Sequence, residues 1–118
     1  MPQINDASAD EQRELKLNEV RQFIGRYSAA KSKRVYLEEF RKVKKALLMK
    51  QAEREGCNSI QKQEREAYAH PEYAELLKGL ETATAEETAA YWELKQVEWR
   101  FEAWRTRMAT ERVERGRY

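Results

Sequence analysis

The sequence predicts an all-α chain, folded as an antiparallel hairpin of two long helices that resembles a coiled coil and assembles into a dimeric helical bundle. Charged residues make up 37% of the 118 residues, and the chain has only four glycines and two prolines. A composition rich in Ala, Glu, Lys, Leu and Arg is typical of long helices. Strand-rich folds need more turn residues and more β-branched side chains. We therefore expect a single helical domain over residues 1–118.

The first long helix is predicted over about residues 8–54. Ser8 and Glu11 have the spacing of a capping box, and strong helix formers follow them. A glycine in a helix interior costs only about 1 kcal/mol, so Gly25 leaves open whether the helix bends near 25–28. Two groups of apolar residues at 3 and 4 spacing predict an apolar face along it: Leu17, Val20, Ile24 and Tyr27, then Tyr36, Phe40, Val43 and Leu47.

A break is predicted at 55–59, followed by a short helix over about 60–69. Gly56 suits the left-handed position after a helix end, and Ser59 can cap the helix that follows. Pro71 is well placed as the first residue of a second long helix, because its missing N–H is not needed there. We expect that helix over about 71–113, with a short tail over 114–118.

The second long helix carries the strongest pattern in the chain. Eleven positions spaced alternately by 3 and 4 form one row, here called the seam, and ten of them are apolar. The single exception is Glu87, interpreted as a polar residue that sets the register by meeting Lys or Arg from the facing helix. The seam consists of Tyr73, Leu76, Leu80, Ala83, Glu87, Ala90, Leu94, Val97, Phe101, Trp104 and Met108.

The distribution of charge along the chain favours antiparallel pairing of the two long helices. Residues 26–54 carry ten basic and three acidic side chains, whereas residues 55–99 carry four and ten. Residues 1–25 carry three basic and five acidic side chains, and residues 100–118 carry six and three. A hairpin places each segment beside one of opposite sign, which helps to fix the orientation of paired helices.

The aromatic residues of "WELKQVEWRFEAWR" (92–105) exceed what one helix face can hold. At 100° per residue, Trp92 and Trp99 lie about 140° to 160° from the centre of the seam and share a second face with Gln96 and Ala103. A two-helix hairpin covers only the seam. The second face requires the short helix 60–69, a second copy of the chain, or an external partner, and we favour a homodimer.

The chain offers little of the chemistry that an enzyme needs. It has one histidine, His70, and one cysteine, Cys57, so it lacks the several Cys or His ligands of a zinc site. It has no glycine-rich phosphate loop and no histidine beside a nucleophile. We expect no catalytic residues, no cofactor and no metal. Because there is no membrane-length apolar run and no cysteine pair, we expect a cytoplasmic protein.

Two basic runs, "KSKR" (31–34) and "RKVKK" (41–45), and an arginine-rich C-terminal segment raise the question of nucleic-acid binding. Neutralisation of the acidic partner helix accounts for the larger share of the charge in the two basic runs. Arginine beside aromatic rings also suits a groove for single-stranded DNA. The candidate nucleic-acid contacts are Lys31, Lys42, Lys45, Arg105, Arg107 and Arg112.

Three stretches carry a resemblance to a loose group of small bacteriophage helical proteins, most of them uncharacterised: "YLEEFRKVKKALLMKQAE" (36–53), "REAYAHPEYAELLKGL" (65–80) and "RFEAWRTRMATER" (100–112). The last, a Phe-Glu-Ala-Trp-Arg-Thr box followed by Ala-Thr and Arg, is the most distinctive. The residues that match this box are Phe101, Trp104, Arg105, Thr106 and Arg112.

The resemblance implies a product of phage early replication and recombination genes, encoded beside single-strand annealing or binding proteins and acting in the host cytoplasm. Our hypothesis is a non-enzymatic accessory protein that acts by protein–protein contacts, with a phage or host DNA-metabolism protein or single-stranded DNA as partner. The alternatives are a phage inhibitor or adaptor that binds a host protein through the Trp92/Trp99 face, and a structural coiled-coil protein.

Overall fold

The computed structural model describes residues 6–116, with side chains from residue 8 onward. Three helices occupy most of this range: α1 (Asp6–Arg54), α2 (Ile60–Ala69) and α3 (Pro71–Gly116). Residues 6–116 contain no strand, so the predicted all-α class is confirmed.

The ends of the long helices differ slightly from those expected. Because α1 begins at Asp6, Ser8 lies inside its first turn and not at a cap. The helix then continues without interruption through Gly25. α3 extends to Gly116, so the first part of the expected tail is helical, and residues 117–118 lie outside the described residues.

The α1–α2 connection is a helix stop followed by a helix start. Gly56 has a φ of 108°, in the left-handed region that favours glycine. Its N–H donates to the carbonyl of Glu53 at 3.1 Å, and the N–H of Cys57 donates to the carbonyl of Ala52 at 3.0 Å. This pair of bonds is a Schellman motif. Ser59 then caps α2, because its Oγ accepts from the N–H of Lys62 at 3.2 Å.

A single residue, His70, joins α2 to α3. Its backbone is extended, with φ −71° and ψ 136°, and its N–H donates to the carbonyl of Ala67. The His70 Nδ1 accepts from the backbone N–H of Glu72 at 3.1 Å. The histidine therefore caps the start of α3 through its imidazole, and Pro71 needs no hydrogen-bond partner there.

Alanine substitutions at the glycines are expected to have opposite effects on stability. Gly56→Ala should destabilise the chain by about 1 kcal/mol, because its positive φ strains a residue with a Cβ. Gly25→Ala and Gly79→Ala should stabilise it by about 0.5–1 kcal/mol, since both lie in helix interiors with open space around a Cβ. Urea unfolding followed by far-UV circular dichroism measures all three. A neutral Gly56→Ala variant would show that the left-handed conformation is not required.

The chain forms two compact units. One combines the chain up to Ser28 with the chain from Ala89 onward, and the other comprises Ala29–Thr88. In the first unit, Glu19 forms an ion pair with Arg100 at 3.6 Å, and the rings of Tyr27 and Tyr91 lie 5.7 Å apart. The contacting residue on α3 has a lower number where the residue on α1 has a higher one. The two helices therefore run antiparallel.

In the second unit, α1 and α3 are also antiparallel, and α2 packs against both. Lys33 pairs with Glu86 at 3.4 Å, and Lys44 pairs with Glu72 at 3.3 Å. These pairs confirm the predicted meeting of the basic and acidic segments. The small core around α2 consists of Leu48, Ala67 and Tyr73, with Met49 packed against it.

The seam of α3 is the buried face of that helix. None of its eleven positions is exposed. Six of them are buried: Tyr73, Ala83, Ala90, Leu94, Val97 and Trp104.

The apolar face predicted for α1 is mostly exposed in its second half, and Ile24 in its first half is 45% exposed as well. Tyr36, Val43 and Leu47 are 64%, 51% and 53% exposed. α3 instead packs on a neighbouring row of α1 that is buried or half-buried: Ala30, Arg34, Leu37, Lys44, Leu48 and Ala52. The physical reason is that this row carries the cations that pair with carboxylates of α3, so its polar members are satisfied inside the hairpin.

Candidate protein-interaction surface

The second face of α3 is an exposed aromatic surface, here called the Trp face: Trp92, Gln96, Trp99 and Ala103. All four residues are exposed, and the two tryptophans are 52% and 59% accessible. Their ring centroids lie 6.4 Å apart, and Tyr91 packs edge-to-face on Trp92 at 5.2 Å. The rings therefore form one continuous apolar surface on a rigid helix.

No described segment covers the Trp face. The sequence allows three covers, α2, a second copy of the chain and an external partner, and the rings of Trp92 and Trp99 are exposed. α2 buries Ala67 against Leu48 and Tyr73 instead. A second copy of the chain and an external partner are the two candidate covers that lie outside the described residues.

The surroundings of the Trp face are balanced in charge. At 100° per residue, one margin carries Lys95 and Glu102, and the other carries Glu93 and Arg100. Residues 89–106 include three acidic and three basic side chains. The net charge around the Trp face is therefore close to zero.

Glu87, the polar residue of the seam, lies against α1. Its carboxylate accepts from the Arg34 Nε and, at 3.3 Å, from the Arg34 Nη2. The side chains of Glu87 and Arg34 are only 15% and 22% exposed, and Glu38 pairs with the same guanidinium at 2.9 Å. The hydrogen bond to Glu87, followed by that to Glu38, raises the pKa of Arg34. A fork-like pair of this kind restricts the register of the two helices.

The three candidate DNA-contacting lysines of α1 differ in their environments. Lys31 is exposed, and Lys42 forms an ion pair with Glu39 of its own helix at 3.3 Å. Lys45 faces α2, where it pairs with Glu64 at 3.2 Å and lies 4.8 Å from the ring centroid of Tyr68. The interactions with Tyr68 and Glu64 raise the pKa of Lys45. The structure therefore gives Lys45 a packing role.

The three candidate arginines of α3 do not share one side of the helix. Arg105 and Arg112 are seven residues apart and lie on the same side, whereas Arg107 is about 160° away from Arg105. Arg105 pairs with Glu102 at 3.2 Å and lies over the ring of Phe101. Arg107 and Arg112 are exposed and form no ion pair among residues 8–116. Arg107 and Arg100 both lie along one margin of the Trp face.

Sequence reasoning missed one exposed surface. Tyr36, Phe40, Val43 and Leu47, here called the α1 stripe, form an apolar row on the outside of the hairpin. Their 3 and 4 spacing was visible, but periodicity alone does not tell which of two rows on a helix meets the partner helix.

Among the side chains of residues 8–116, no three His, Cys, Asp or Glu residues are grouped to hold a metal ion. The same residues include no helix with the length and hydropathy needed to cross a membrane. Comparison with protein-family models, with curated proteins and with solved structures finds no match to the chain.

Proposed function

We propose that the chain is a non-enzymatic accessory protein of phage DNA replication and recombination that acts through protein–protein contacts and dimerises through its Trp face. The observation that carries this proposal is the pair of adjacent, half-exposed rings of Trp92 and Trp99 on a rigid helix. Tryptophan is among the residue types most enriched at interface hot spots. The link to DNA metabolism rests on the resemblance of the Phe-Glu-Ala-Trp-Arg-Thr box.

A second copy suits the Trp face better than other occupants do. In a two-fold contact of antiparallel α3 helices centred near Gln96, Trp92 of one copy lies beside Trp99 of the other. In the same contact, Glu93 of one copy lies beside Arg100 of the other, so this margin of the face brings unlike charges together. Two antiparallel hairpins joined in this way form a four-helix arrangement.

We expect the wild type to sediment as a dimer and the variant Trp92→Ala/Trp99→Ala to dissociate at least about 100-fold more readily, because each tryptophan is a hot-spot candidate. Analytical ultracentrifugation over a concentration series measures the dissociation constant. Leu15→Ala/Val113→Ala is the matched control. It also removes two exposed apolar side chains from the compact unit that contains the Trp face. Its dimer should be unchanged.

A monomeric wild type, or a dimer that keeps its full strength in the tryptophan double variant, would contradict the self-association part of the proposal. The first result would favour the alternative in which the Trp face binds a host protein as an inhibitor or adaptor. The second would favour a structural coiled-coil protein that associates through another face.

Binding of single-stranded DNA is a second candidate function, supported by the arginines beside the Trp face. Arg100 and Arg107 lie along one margin of exposed rings on which bases can stack. An aromatic surface with flanking guanidinium groups is the arrangement that single-strand-binding proteins use.

Affinity for a labelled oligonucleotide should fall with rising salt, with a slope of about −0.7 for each phosphate contacted. Arg107→Ala should reduce that slope by about 0.7. Lys78→Ala, which removes an exposed cation elsewhere on α3, should leave it unchanged. Fluorescence anisotropy measures both. If no oligonucleotide binds at about 50 mM salt, where such contacts are strongest, this candidate is excluded.

A further inference from the structure

The α1 stripe is a second apolar surface, separate from the Trp face and lying on a different helix. Tyr36, Val43 and Leu47 are all more than half exposed, and Phe40 is half-buried. The rings of Tyr36 and Phe40 are stacked, with centroids 5.8 Å apart and planes inclined by 13°. The unit Ala29–Thr88 therefore presents three largely exposed side chains, Tyr36, Val43 and Leu47, beside the half-buried ring of Phe40.

The spacing of the α1 stripe is that of a helix-binding seam. Its members follow one another by four, three and four residues, which is the period with which one helix packs along another. Lys50 and Arg54 continue the same row by three and four residues. A partner helix lying along the stripe therefore meets apolar side chains first and cations at the end.

The C-terminal end of the stripe has a shallow open depression of about 420 Å³, lined by Leu47, Gln51, Arg54 and Glu55. Its lining combines the apolar side chain of Leu47 with the guanidinium of Arg54, which has no ion pair within residues 8–116, and with the carboxylate of Glu55, which accepts from the Gln51 Nε2 at 3.2 Å. An apolar anchor followed by a carboxylate fits this combination, because the anchor contacts Leu47 while the carboxylate meets Arg54.

The charge around the stripe determines which helix fits. Lys33, Lys44 and Lys45 are used in ion pairs with α3 and α2. Lys50 and Arg54 are exposed and have no ion pair within residues 8–116. The segment 26–54 contains ten basic and only three acidic residues, so its outer surface keeps a positive excess.

We infer that the α1 stripe is a docking site for an acidic amphipathic helix of another protein. A second copy is the wrong occupant, because a two-fold contact would place this basic segment against itself. The Trp face has the opposite property, since its margins are balanced in charge. The two surfaces therefore serve different partners, and this inference does not depend on the proposed dimer.

Two designed peptides test the inference against the full-length chain. Both carry leucines at 3 and 4 spacing on one face and a side-chain crosslink on the other, so both are helical. One has glutamates beside the leucines and the other has lysines. The glutamate peptide should bind at least about tenfold tighter than the lysine peptide in isothermal titration calorimetry. Lys50→Glu/Arg54→Glu should reduce or invert that preference.

Val43→Glu should weaken binding of the glutamate peptide at least about tenfold, because it places a charge in the middle of the stripe. Val113→Glu, at a residue 59% exposed on α3, is the matched control and should bind normally. Trp92→Ala/Trp99→Ala should also bind normally, which separates this site from the proposed dimer face. Tyr36→Ser provides a second, uncharged test and should weaken binding in the same direction.

Equal binding of the two peptides, or unchanged binding by both Val43→Glu and Tyr36→Ser, would overturn the inference. Loss of self-association in Val43→Glu, measured by sedimentation, would also overturn it and would assign the stripe to a second copy. Circular dichroism should show the helix content of the wild type in each variant, because every substituted side chain is exposed.

Discussion

Trp104→Ala is expected to destabilise the chain by about 3–5 kcal/mol, the usual cost of truncating a buried tryptophan. Trp104 is 9% exposed, its ring stacks on Phe101 at 6.0 Å, and the ammonium of Lys16 lies 5.5 Å from its centroid. Truncation removes the contact with Lys16 on α1 and the contact with Phe101 on α3. It also leaves a cavity in the seam. Small domains have only about 5–15 kcal/mol of total stability, so this loss is a large share.

Trp99→Ala is the matched control, because it makes the same chemical change on the same helix, five residues away. Trp99 is 59% exposed, and an exposed substitution of this kind changes stability by about 0.5 kcal/mol or less. Urea unfolding followed by far-UV circular dichroism, at a concentration where both variants are monomeric, compares the two. Equal losses would mean that the assignment of Trp104 to the seam and Trp99 to the surface is wrong.

Ala67→Asp is expected to release α2 from the rest of its unit. Ala67 is fully buried against Leu48 and Tyr73, and an aspartate there would place an unpaired carboxylate in an apolar contact. The cost is about 3 kcal/mol or more, which corresponds to at least a 100-fold loss of hydrogen-exchange protection for the amides of α2.

Ala69→Asp tests whether burial, and not the acidic residue itself, is responsible. Ala69 lies two residues further along α2 and is exposed. Both substitutions add negative charge near the C-terminal end of the helix, so the unfavourable dipole interaction is similar in the two variants. Native-state hydrogen exchange should show protection of α2 close to wild type in Ala69→Asp. Similar losses in both variants would mean that the Leu48–Ala67–Tyr73 core does not hold α2.

Much of the fold could be predicted because local rules and long-range pattern agree in α3. Pro71 starts the helix, and eleven positions from Tyr73 to Met108 follow one period, so a single face is selected. Gly56 and Ser59 similarly have one suitable role each, the left-handed stop and the N-cap. These features depend on neighbours in sequence, which the sequence shows directly.

The packing face of α1 could not be predicted, because two rows of that helix have helical spacing. Tyr36 and Val43 make the outer row more hydrophobic than the inner one, which contains Arg34 and Lys44. The choice is made by Glu87 and Glu72 on α3, which meet those cations. Hydrophobicity counted along one helix does not include such pairing, so only the assembled hairpin distinguishes the two rows.

The joint at His70 and the uninterrupted helices on either side restrict how the length of this chain can change. An inserted residue in a helix rotates everything beyond it by about 100°, which would turn seam residues toward water and the Trp face toward α1. His70 both caps α3 through its imidazole and donates its N–H to the last turn of α2. An inserted residue beside His70 would prevent one residue from making both contacts. The segment 55–59 is the internal stretch of the described chain where added residues leave every helix face in place. Sequence variants that differ in length should therefore differ there or at the chain ends.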